Sequence, residues 1–110
     1  MHHLGNRYKY HCYLVMVTME TNPDHIMYIE NIEDALDCME QAIRQKIRKV
    51  DVCTHYSSMQ YLIILFETDE TKIPQIMDRI FIEYYKLYSE HHFKPSYEYI
   101  PIMKNKAPNI

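Results

Sequence analysis

The sequence predicts an α+β fold: a ferredoxin-like βαββαβ palm, in which one antiparallel sheet carries two helices on one face. Two observations predict it. Two segments repeat apolar residues at spacings of three and four, and four shorter runs have the composition of strands. Their order along the chain is strand, helix, strand, strand, helix, strand. Right-handed crossovers between parallel strands leave few other topologies for this order.

The first half of the chain supplies three of these elements. A nearly continuous apolar run predicts a central strand over 10–20. Asn31 is a suitable N-cap for a helix over 32–48, whose apolar residues form a single stripe. Strands are predicted over 50–56 and 60–67, and the short turn between them indicates an antiparallel hairpin.

The second half supplies the remaining helix and strand. Pro74 suits a helix's first turn, and apolar residues then recur at helical spacing to about residue 90. A last strand is predicted over 97–102, where Pro101 indicates an edge or a strand end. The domain is expected to span 10–103, between an N-terminal lead (1–9) and a C-terminal tail (104–110).

The composition of the chain excludes several classes of function. A chain of 110 residues with net charge −3 fits one domain and argues against a nucleic-acid module. No apolar run reaches the ~18–20 residues of a membrane span. The three cysteines, Cys12, Cys38 and Cys53, lie far apart, so free thiols in a reducing cytoplasm are expected.

The scarcity of glycine excludes one kind of site. Gly5 is the only glycine, so no Walker loop or GxGxxG phosphate cradle exists in the chain. The seven histidines include no HxxxH or HExxH spacing. No cofactor and no metal site are therefore predicted.

The segment 48–80 reads RKVDVCTHYSSMQYLIILFETDETKIPQIMDRI. It resembles a GGDEF domain, the diguanylate cyclase (DGC) family, which joins two GTP molecules into cyclic di-GMP. The resemblance covers the whole chain and is clearest here. The residues in register with the family pattern are Asp51, Tyr56, Tyr61, Thr68-Asp69 and Arg79-Ile80.

The resemblance implies a degenerate active site. In this comparison Thr18 stands for the metal-binding aspartate of the first strand, and Glu20 lies two residues on. The five residues of the GGDEF signature become Ser57, Ser58, Met59, Gln60 and Tyr61. Magnesium prefers carboxylate oxygens, and phosphoryl transfer needs metal ions to neutralise the triphosphate. We therefore expect no cyclase activity.

One element of the family pattern persists. Arg48 and Asp51 match the R-x-x-D motif, which in the family binds cyclic di-GMP, and Arg44 is a candidate second cation one turn earlier. A structural role is the alternative, because arginines are common at helix ends and an aspartate often opens such a strand.

Three hypotheses follow. The first is an inactive GGDEF-like regulatory or protein-interaction module in the cytoplasm, with cyclic di-GMP, a protein partner, a neighbouring signalling domain or a second copy as its partner. The second is a ferredoxin-like module that binds a small ligand or a protein and is unrelated to nucleotides. The third is a residual nucleotidyl transferase that uses Glu20.

Overall fold

The computed structural model describes residues 12–21 and 32–102. The elements, in chain order, are β1 (Tyr13–Thr21), α1 (Ile32–Lys46), β2 (Val52–Ser57), β3 (Gln60–Leu65), a short 3-10 helix (Glu70–Lys72), α2 (Ile73–Leu87) and β4 (Phe93–Pro101). This is the predicted βαββαβ order. The predicted N-cap Asn31, the lead 1–9 and the tail 104–110 lie outside the described residues.

The sheet has the strand order β2-β3-β1-β4, and every neighbouring pair is antiparallel. β1 is central, with Val17 opposite Tyr61 of β3 on one side and opposite Tyr97 of β4 on the other. Its apolar sequence suits this position, because a central strand is covered by neighbours on both sides. β2 and β4 form the two edges of the sheet among the described residues.

The core lies between the two helices and one face of the sheet. β1 alternates buried with half-buried residues, so every second side chain enters the core. The helices contribute buried apolar stripes at spacings of three and four: Ala35, Met39, Ala42 and Ile43 from α1, and Ile73, Met77, Ile80 and Tyr84 from α2. Within the described ranges, no helix is long and apolar enough to cross a membrane.

Several boundaries differ from the sequence prediction. α1 ends at Lys46 instead of residue 48. The chain turns there, and the Asp51 N–H donates to the Arg48 carbonyl (2.9 Å). β4 begins at Phe93, four residues before the predicted start, and it includes Pro95. Proline is tolerated there because β4 is an edge strand, where one row of backbone groups has no ladder partner.

Candidate functional site

The signature turn joins β2 to β3, where Ser57 stands opposite Gln60. The Ser57 hydroxyl donates to Oε1 of Gln60 (2.8 Å), and the Met59 N–H donates to the Ser57 hydroxyl (3.4 Å). Among the described non-glycine residues, Glu67 is the one with a positive φ. Ser58 and Met59 therefore form this turn without the left-handed conformation that favours glycine.

The structure brings two predicted site residues together, since Thr18 of β1 pairs with Gln60 of β3. The Gln60 side-chain amide donates to the Thr18 hydroxyl (3.2 Å) and contacts the Met16 sulfur (3.1 Å). This pair presents an N–H donor and a hydroxyl, both uncharged. Glu20 lies further along β1, exposed and opposite Lys94 of β4.

Met59 and Tyr61 pack in or against the hydrophobic core. Met59 is half-buried and packs against the core cluster. Tyr61 is buried, and its hydroxyl donates to the Leu36 carbonyl of α1 (2.8 Å). Burial raises the pKa of Tyr61 far above its ordinary value. The aromatic position of the signature therefore ties the hairpin to α1.

The two residues of the R-x-x-D motif bind each other. Asp51 is almost fully buried, with 2% of its side chain exposed, whereas Arg48 is 52% exposed. The Asp51 carboxylate accepts from the Arg48 backbone N–H (2.9 Å), from Arg48 Nε (3.2 Å) and Nη2 (3.1 Å), and from the Phe66 N–H (3.1 Å). Arg48 Nη2 also donates to the Phe66 carbonyl and to the Thr68 hydroxyl. We call this arrangement of Arg48, Asp51, Phe66 and Thr68 the clamp.

The clamp sets the ionisation of Asp51. Burial alone would raise the pKa of this carboxyl. The hydrogen bonds from the Arg48 side chain and from the backbone N–H groups of Arg48 and Phe66 outweigh burial, and the net pKa is lowered. Asp51 is therefore a buried carboxylate whose oxygens are already occupied by donors.

A cavity of about 480 Å³ lies beside the clamp, between the end of α1, the loop after β3 and the start of α2. Its lining includes the cations Lys46, Arg48, Lys72 and Arg79, and the carboxylates Asp51, Glu67 and Asp69. Sequence reasoning selected Arg48 and Asp51 here and missed Lys46, Lys72 and Arg79 as site residues. The helical spacing of Lys72, Gln75 and Arg79 is the signal that indicates their common face.

Arg44 does not line this cavity. Its Nε donates to Glu40 one turn earlier (2.9 Å), and its Nη2 donates to the Cys53 carbonyl of β2 (3.2 Å). The structure therefore separates Arg44 from Arg48, although both were predicted to serve one site. Within residues 12–21 and 32–102, no group of three or more His, Cys, Asp or Glu side chains is placed to hold a metal ion.

Comparison with known proteins gives a structural likeness. No protein-family model matches this sequence, and no curated protein matches it. Among solved structures, the chain is similar to "the crystal structure of a DGC protein from Thermotoga maritima", with a TM-score of 0.62 and 16% sequence identity. The match covers 80% of this chain and 61% of that chain. At this identity the likeness shows the fold.

Proposed function

We propose that this chain is a GGDEF-like signalling domain that lacks cyclase activity and binds cyclic di-GMP in the cavity beside the clamp. The fold, which is like that of a DGC protein, and the signature spacing around the β2–β3 turn support the family assignment. The observation that carries the proposal is the cavity next to the R-x-x-D motif, which is lined by four cationic side chains and three carboxylates.

The chemistry at the turn supports the lack of catalysis. Joining GTP molecules requires divalent ions held by carboxylates against a triphosphate. At the corresponding positions Gln60 donates a neutral N–H to the Thr18 hydroxyl, so the two side chains satisfy each other. A donor amide repels a cation, and Glu20, two residues further along β1, is exposed and opposite Lys94 of β4.

The cavity supports ligand binding. Its volume of about 480 Å³ lies within the range of small-molecule sites. Arg79 offers a guanidinium fork, which suits phosphate and the acceptor edge of guanine. Arg48 adds its positive charge and its Nη1 group, because Nε and Nη2 are engaged in the clamp. Lys46 and Lys72 add positive charge, and their ammonium groups do not require a fixed orientation toward a phosphate. Asp51 anchors Arg48 in this arrangement and does not contact the ligand, because its oxygens already accept four hydrogen bonds.

Calorimetry with cyclic di-GMP tests the proposal. We expect binding that Arg79→Ala weakens by about tenfold or more, since one charge-assisted phosphate contact is worth about 1.5–3 kcal/mol. Lys86→Ala, which removes a cation in the last turn of the same helix, is the matched control and should leave the affinity unchanged. Inorganic phosphate and GTP should bind more weakly than cyclic di-GMP.

The catalytic half of the proposal has its own assay. Incubation with GTP and Mg²⁺ or Mn²⁺, followed by chromatography, should give no cyclic dinucleotide, and sustained turnover would refute it. A second function is favoured by one observation, the saturation of Asp51 by the clamp. It is a ferredoxin-like interaction module unrelated to nucleotides, and calorimetric silence with a folded protein would select it.

A further inference from the structure

The two edges of the sheet differ in chemistry. β4 carries Lys94, Pro95, Glu98 and Pro101, and charges and prolines of this kind discourage another strand from pairing. The sequence of β2, VCTHYS, contains no acidic or basic group other than a histidine, and no proline. Its Val52 and Tyr56 are 44% and 59% exposed. Of the two edges, β2 is therefore the one that is open to strand addition.

The register shows which backbone groups of β2 face outward. The Met19 N–H donates to the Met59 carbonyl (2.8 Å), so the odd-numbered residues of β3 bond to β1 and its even-numbered residues bond to β2. Val52 and Thr54, opposite Ile64 and Leu62, hence bond to β3. The backbone groups of Cys53 and His55, which alternate with them, point away from the sheet.

Glu40 and Arg44 lie along this edge. Arg44 donates to the Cys53 carbonyl, which fixes it at the level of Cys53. Because α1 crosses over between the parallel strands β1 and β2, it runs opposite to β2, and Glu40, one turn earlier, lies nearer the level of His55. In agreement, the Glu40 charge contributes, after burial, to the raised pKa of Tyr61, which is the ladder partner of His55.

We propose that the β2 edge pairs with the β2 edge of a second copy of this chain, antiparallel, about a two-fold axis at Thr54. This register bonds Cys53 of each copy to His55 of the other, and those are the residues whose backbone groups point outward. It also sets Thr54 against Thr54, and Val52 opposite Tyr56, which are favourable cross-strand pairs. An isologous contact of this kind closes as a dimer.

The charges on α1 favour a second copy of this chain, and not an unrelated strand, as the partner of the β2 edge. The same two-fold axis carries Arg44 of each copy to the level of Glu40 of the other. Arg44 then releases the Cys53 carbonyl to the second copy's His55 N–H and pairs with the second copy's Glu40. The bulge between His55 and Ser57 ends the pairing beyond Tyr56, so the dimer rests on one short stretch of β2.

A charge-swap experiment tests the pairing by light scattering and sedimentation, from micromolar to millimolar protein. The wild-type chain should dimerise as its concentration rises. Glu40→Arg alone and Arg44→Glu alone should each be monomeric, because like charges then meet across the axis. An equimolar mixture of the two variants should recover the dimer. A monomeric wild-type chain at every concentration, or no recovery in the mixture, overturns the proposal.

Variants at the axis test the register. Thr54→Arg sets two guanidinium groups side by side and should abolish the dimer, whereas Ile100→Arg, at an exposed site on the other edge, should not. Thr54→Cys should cross-link under mild oxidation beyond the wild-type background, because directly opposed non-bonded pairs meet disulfide geometry. Val52→Cys should not, since it faces Tyr56. A dimer that Ile100→Arg breaks and Thr54→Arg spares overturns the proposal. Circular dichroism verifies that each variant is folded.

Discussion

Replacing Asp51 with asparagine tests the clamp most directly. The carboxylate accepts four hydrogen bonds, two at each oxygen. Asparagine keeps one oxygen and turns an N–H₂ group toward two donors. Whichever way the amide is oriented, the N–H of either Arg48 or Phe66 loses its acceptor. We therefore expect Asp51→Asn to destabilise the fold substantially, although the side chain keeps its size.

The magnitude follows from the two bonds that are lost. A hydrogen bond to an ionised group contributes about 1.5–3 kcal/mol, so two would contribute about 3–6 kcal/mol. Arg48 is 52% exposed, and water replaces its share of the loss. We therefore expect a net loss of about 2–3 kcal/mol in the free energy of unfolding, which is a large part of the ~5–15 kcal/mol typical of a domain.

Urea denaturation across pH is the assay. The folded pKa of Asp51 is lowered, so its stabilisation is fully present above the unfolded pKa and is lost as pH falls through the folded pKa. The difference between wild type and Asp51→Asn should be full at neutral pH and should shrink as pH falls below about 4. Asp78→Asn, on the exposed side of α2, is the matched control and should change stability little.

Two results would refute this reasoning. One is an Asp51→Asn variant within about 0.5 kcal/mol of wild type at neutral pH, which is the range of ordinary surface substitutions. The other is a loss that does not change with pH, because the ionised state of the Asp51 carboxylate would then not be what stabilises the fold.

Three further predictions concern single side chains. Tyr61→Phe should lower the free energy of unfolding by about 1–2 kcal/mol, since it removes the hydrogen bond from the Tyr61 hydroxyl to the Leu36 carbonyl. Tyr84→Phe should be neutral or slightly stabilising, because the buried Tyr84 hydroxyl has no hydrogen-bond partner in the described part of the chain. The midpoints of urea unfolding measure the effects of both tyrosine substitutions. Glu67 has φ 49°, so Glu67→Val should cost about 1–2 kcal/mol and Glu67→Gly should cost less, measured by thermal unfolding.

The sequence predicted the order of the elements because each carries a strong local pattern. Alternating burial in β1 and the apolar stripes of α1 and α2 are long enough for their period to be unambiguous. The start of β4 was predicted four residues late. Pro95 is unfavourable in a central strand, and it is tolerated here because β4 is an edge of the sheet.

The candidate site was predicted less completely, for a similar reason. The pairing of Thr18 with Gln60 follows from the resemblance and from the register of β1 against β3. Lys72 and Arg79 come to face Arg48 only because α2 packs beside α1 at the end of β3. This tertiary contact joins segments about 30 residues apart, and the local periodicity of the sequence does not predict it. Because α1 ends at Lys46, Arg44 and Arg48 do not share a helical face, and Arg44 lies outside the lining of the cavity.

The clamp also explains why the R-x-x-D spacing is weak support for a ligand. Three residues after the arginine, a carboxylate reaches both the backbone N–H and the side chain of that arginine, and it holds the exit of β3 through Phe66. That geometry requires the same two residues whether or not a nucleotide binds. Arg79 takes no part in the clamp and lies exposed on α2, where it lines the cavity. Binding that depends on Arg79, together with stability that depends on Asp51, would assign the two roles to different residues.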